Sequence, residues 1–129
     1  MIQEAYCSYE VSKLLKDKGY DEHCDNYYDQ SSDEPQQFTL DEMYYSYDEF
    51  IKAPTHQMAM RWLREIHNKH CDIGYDIDLK WYFQIIDLEQ TVEYDYPETK
   101  YHHAENETGF NTYEDAVEAA LKYTLENLI

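Results

Sequence analysis

Cations are scarce in this chain, ten lysines and arginines against twenty-eight aspartates and glutamates, which leaves a formal net charge of −18. Direct binding to a DNA or RNA backbone needs lysine and arginine to neutralise phosphates, so that class of function is excluded as the main activity. Glycine is nearly as rare: the three present, Gly19, Gly74 and Gly109, stand alone, and no glycine-rich loop exists to cradle a phosphate or a dinucleotide. The serines occupy no nucleophile-elbow context. With so many carboxylates some pair is always close, so proximity alone points to no acid–base chemistry, and a non-enzymatic protein is expected. Three cysteines, Cys7, Cys24 and Cys71, are an odd number without the spacing of a secreted disulfide framework, so reduced, buried thiols are expected. No apolar run approaches the roughly 18 residues of a membrane helix. The opening Met-Ile-Gln-Glu-Ala has no basic region followed by an apolar one, so a cytoplasmic setting is expected.

What the chain does have is concentrated. Residues 21–50 carry ten carboxylates and five tyrosines without a single lysine or arginine. Like charges at that density repel, and they are tolerated when solvated, ordered around a cation, or aimed at a basic partner. The chain holds fifteen tyrosines in all. A tyrosine offers an apolar body with a polar tip, suited either to half-buried strand positions or to a contact surface of low entropic cost. The apolar fraction of 43% supports a packed core despite the charge.

Periodicity places the elements. Ser8 can cap a first helix over residues 8–18, with Cys7, Val11, Leu14 and Leu15 on one stripe and Gly19 as its stop. The acidic stretch follows as an insert, with residues 38–47 apolar enough to dock as a short strand or turn. Pro54 bars helix before it and Thr55 opens a central helix over 55–70, carrying Met58, Ala59, Trp62, Leu63 and Ile66 on one face. The period then switches to two over residues 71–96: Ile73, Tyr75 and Ile77 alternate, residues 81–88 are β-branched and aromatic, and Val92, Tyr94 and Tyr96 suggest a third strand. Thr112 followed by Asp115 has capping-box spacing and opens a last helix over 112–128. The expected architecture is a single α+β domain, 1–129, with about three helices packed on one face of a small antiparallel three-stranded sheet. Its expected core is Leu14, Leu15, Trp62, Leu63, Ile66, Ile73, Phe83, Ile85, Val117 and Leu121.

Metal sites are poorly signalled. His23 with Cys24, and His67, His70 and Cys71, are ligand types that zinc prefers, but no pair has the spacing of a zinc motif. Asp25, Asp29 and Asp33 lack the glycine that a calcium loop needs. No metal or other cofactor is therefore expected. Arg61, Arg64 and Lys69 form the main cationic patch, best read as partners for surplus carboxylates and otherwise as holders of an anionic ligand.

Three segments, "YEVSKLLKDKGYDEHCDNYY", "APTHQMAMRWLREIHNKH" and "YEDAVEAALKYTLENLI", together resemble small proteins of unknown function encoded by phages and mobile elements of gut bacteria. The similarity runs over nearly the whole chain, and "PTHQMAMRWLREIH" is its most specific part. The resemblance implies the cytoplasm of a host cell and an accessory role there. It carries no catalytic residues.

The function expected from these features is binding. Asp25, Tyr27, Tyr28, Asp29, Asp33, Glu34, Asp41, Glu42, Tyr44 and Tyr45 are the candidate contact residues, and a basic protein surface of a host factor is the candidate partner. Duplex DNA presents one charge per roughly 1.7 Å of axis, a density that the acidic stretch approaches if laid along one side, so imitation of nucleic acid is one form the binding could take. The alternative is a small-ligand or metal-binding domain built on the hairpin and the central helix.

Overall fold

The computed structural model describes residues 2–29, 37–39, 50–88, 100–102 and 107–129. These form an α+β protein with three helices and two three-stranded antiparallel sheets among the described residues. Residues gather into two compact units, Met1–His56 and Gln57–Ile129.

In the first unit, helix α1 (Tyr9–Asp17) begins where the Ser8 side chain accepts the Val11 N–H at 3.2 Å. It ends in a Schellman turn: Gly19, at φ 91°, donates to the Lys16 carbonyl and Tyr20 to the Leu15 carbonyl. Strand β1 (Asn26–Asp29) is central, flanked by β2 (Gln37–Thr39) and β3 (Phe50–Lys52), with Tyr27 opposite Phe38 on one side and Tyr28 opposite Ile51 on the other. The extended N-terminal segment runs beside the chain that follows β3, where Cys7 N–H donates to the Pro54 carbonyl and His56 N–H to the Ala5 carbonyl. Helix α1 packs on β3, and Cys7, Val11, Leu15, Tyr20, Ile51 and Ala53 are buried.

The second unit contains helix α2 (His56–His67, whose first residue belongs to the unit before), the hairpin of β4 (Lys69–Asp76) and β5 (Lys80–Asp87), strand β6 (Lys100–His102) and helix α3 (Tyr113–Asn127). Asn68 takes a left-handed φ of 55° after α2, a conformation that asparagine tolerates at a helix end. The hairpin turns where the Asp76 carboxylate accepts the N–H groups of Asp78 and Leu79. Strand β6 pairs with the far end of β5. Alternation puts Cys71, Ile73 and Tyr75 on one face with Ile85, Phe83 and Trp81, and α3 covers that face. Thr112 caps α3 by accepting the Asp115 N–H at 3.0 Å. Ala116 and Ala120, small and fully buried beside Val117, Leu121 and Leu125, let the helix approach closely, and Tyr113 and Tyr123 meet the rings of Trp81 and Phe83.

Two expectations are corrected, and a third falls outside the described residues. The sheet is not single: the acidic stretch contributes β1, β2 and the start of β3 to a sheet of its own, so α1 and α3 pack on different sheets. The expected strand at Val92, Tyr94 and Tyr96 lies outside the described residues, and β6 at residues 100–102 is the third strand seen. In the core, Ile66 is 58% exposed in the last turn of α2 and Met58 is 39% exposed, while Met60 is buried. At about 100° per residue, Met58 and Met60 lie on opposite edges of the stripe centred on Ala59 and Leu63, and the buried face is turned toward Met60. Leu14 and Ile73 are half-buried.

Gly74 has a packing role that no turn requires. It faces Tyr82 across the hairpin, and a methyl group at residue 74 would enter the Tyr82 ring. Gly74→Ala should therefore destabilise the protein by about 1 to 3 kcal/mol through overpacking. In a Tyr82→Ala background the same change should cost much less. Phe83→Ala, at a residue 2% exposed, should cost about 3 to 5 kcal/mol. Urea unfolding reads all three, and a neutral Gly74→Ala would contradict the placement of the Tyr82 ring.

Candidate functional site

The described part of the acidic stretch is held at intervals by contacts within the first unit. Lys52, on β3, reaches back with its ammonium to Asp21 Oδ1 at 3.1 Å and to the Glu22 carbonyl at 2.9 Å. Cys24 is buried and its thiol donates to the Asn26 carbonyl at 3.0 Å. Between these anchors Asp21, Glu22, His23 and Asp25 point to solvent, with His23 Nε2 3.1 Å from Asp25 Oδ1. A row of exposed carboxylates is thus set on fixed backbone.

The candidate contact residues divide. Asp25 is exposed, and Tyr27, Tyr28 and Asp29 are half-buried on β1. Tyr28 serves the frame: its hydroxyl donates to the Cys7 carbonyl at 2.8 Å and its ring stands edge-on to Tyr9. Strand alternation sends Tyr27 and Asp29 to the other face of β1, opposite Lys52 and Phe50 of β3. Asp33, Glu34, Asp41, Glu42, Tyr44 and Tyr45 lie outside the described residues.

Sequence reasoning missed a cleft of about 140 Å³ in the same unit, lined by Ser12 and Lys16 of α1, Tyr20 and Asp21 after it, and Phe50 and Lys52 of β3. The residues are scattered along the chain, and the only local signal is the i, i+4 spacing of Ser12 and Lys16 on one helix face. Burial pushes the Tyr20 phenol up to about 12, and the negative potential of Cys24, Cys7 and Glu22 acts in the same direction. Burial likewise raises the Cys24 thiol. Neither group ionises near neutral pH.

Two cations of the alternative site are paired within the second unit. Arg61 pairs with Glu65 one turn on at 2.8 Å, and Lys69 with Asp87 across the hairpin at 3.2 Å. Cys71 is pushed up to about 11 by burial and lies 3.9 Å from the Thr124 hydroxyl, while its neighbour His70 points to the other face of β4. His67 sits edge-on to Trp62. None of His23, Cys24, His67, His70 and Cys71 joins a group of three convergent ligand atoms among the described residues. No helix among them is long and apolar enough to cross a membrane. No protein-family profile, curated protein or solved structure matches the chain.

Tyr20 gives this region a pH signature. Its phenol ionises near 10 in the unfolded chain and near 12 in the folded one, so the stability from keeping it neutral is fully present below pH 10 and is lost as pH rises toward 12. The wild-type protein should accordingly lose more stability than Tyr20→Phe between about pH 9 and pH 11.5, followed by urea midpoints. Parallel losses would show that Tyr20 is not buried as described.

Proposed function

We propose that the protein is a non-enzymatic interaction domain whose acidic, tyrosine-bearing first unit binds a basic surface on a protein of the host cell, as an accessory factor of a phage or mobile element. One observation carries the reading: the exposed carboxylates Asp21, Glu22 and Asp25 are spaced along backbone that Lys52 and the buried Cys24 hold in place. Charges on ordered backbone act collectively at encounter and lose no chain entropy on binding. Tyr27, with Tyr44 and Tyr45, supplies the aromatic anchors that turn electrostatic steering into affinity. Tyr28 contributes by holding β1 in place. Imitation of nucleic acid is the narrower form of the proposal, and its mark is a partner whose basic face otherwise takes duplex DNA.

Salt and charge test the idea together. Capture of a basic partner from host lysate should be strong at low ionic strength and fail near 1 M salt, where the Debye length falls to about 3 Å. Changing Asp25, Asp29, Asp33, Glu34, Asp41 and Glu42 to Asn or Gln should abolish capture at every salt concentration, with stability equal or higher as self-repulsion is relieved. Duplex DNA should displace the partner if the surface imitates it. Equal affinity in the neutralised variant, or no basic protein captured at low salt, would contradict the proposal.

A further inference from the structure

We infer that the cleft in the first unit is a binding site for a small oxyanion, a phosphate or carboxylate group held by Lys16 and Lys52 over the Ser12 hydroxyl. The strongest sign is Ser12. A helical serine commonly returns its hydroxyl to the carbonyl four residues back. Here Ser12 is fully buried, lines the cleft, and its Oγ has no hydrogen-bond partner among the described residues. A buried hydroxyl left in that state is costly and points to a group absent from the protein itself.

The remaining lining fits an anion. Lys16 lies one helical turn beyond Ser12 on the same face, and its ammonium makes no ion pair with a described residue. The Lys52 ammonium has three N–H groups, of which Asp21 and the Glu22 carbonyl take two, so one remains for a ligand. The Asp21 carboxylate lines the cleft as well, but it is held on Lys52, and the two lysines leave the cleft with one positive charge in surplus. On a chain of net charge −18 this is a local reversal of sign. The Tyr20 phenol, which burial keeps protonated at neutral pH, adds no negative charge to the cleft. A volume of about 140 Å³ admits a group of phosphate or small-carboxylate size.

The test is titration with inorganic phosphate and, separately, with acetate, each at ionic strength held constant with sodium chloride and followed by amide chemical shifts. Saturable shifts confined to Ser12, Lys16, Tyr20 and Lys52 are expected with at least one anion. Phosphate alone would assign the site to phosphoryl groups, and acetate alone to carboxylates. Lys16→Gln, at an exposed residue that leaves the fold intact, should weaken the binding about tenfold or more, Lys16→Arg should retain it, and Ser12→Ala should weaken it with α1 unchanged by circular dichroism. Absence of saturation with both anions, or an unchanged titration in Lys16→Gln, would overturn the inference. The experiment uses no protein partner, so its outcome is independent of the acidic-surface proposal.

Discussion

Every carboxylate between Asp21 and Asp29 repels its neighbours, and what holds that segment against the repulsion is the ladder of β1 with β3, closed by Ala53 N–H donating to the Asn26 carbonyl at 2.8 Å. The ladder brings Lys52 level with Tyr27, and from there its ammonium reaches Asp21 and Glu22. It also sets Tyr28 where its hydroxyl meets the Cys7 carbonyl, tying the strand to the segment that leads into α1. The cleft depends on the same pairing, because Phe50 and Lys52 are its β3 wall. Without it, residues 21–29 would be a solvated acidic run of the kind that composition alone suggests.

The two features of the first unit are opposite in sign. Its exposed row is acidic, whereas its cleft is lined by two lysines, Lys16 and Lys52. Lys52 belongs to both, since it neutralises Asp21 while keeping one N–H for the cleft. Exposed ion pairs of this kind stabilise little. The value of the Lys52 pair lies in fixing where the backbone of Asp21 and Glu22 runs, and hence where the free carboxylates point.

Local signals made much of the fold legible. Ser8, Gly19 and Thr112 cap or stop helices as their chemistry dictates, and the change to period two marks the hairpin and its turn at Asp76. The first sheet was not legible. Its strands are only three or four residues long, too short to show alternation, so their order comes from pairing that no local window records. Ile66 shows a second limit, since it lies on the correct azimuth of α2 and is exposed because a stripe does not say where its cover ends. The boundary between the units falls at His56 and Gln57 without a Pro-, Gly- or Ser-rich linker to announce it. Of the candidate site, the charge was evident in the sequence, whereas the inward role of Tyr28 and the Ser12 cleft arise only from tertiary packing.

Residues 21–29 present their carboxylates on ordered backbone, and amide hydrogen exchange measures that order directly. The amides of β1 and β3, with Ala53, should exchange far more slowly than an unstructured peptide of the same sequence, and their protection should rise and fall with that of α1 as one cooperative unit. Exchange of the β1 amides at the unstructured rate, while α1 remains protected, would contradict the account.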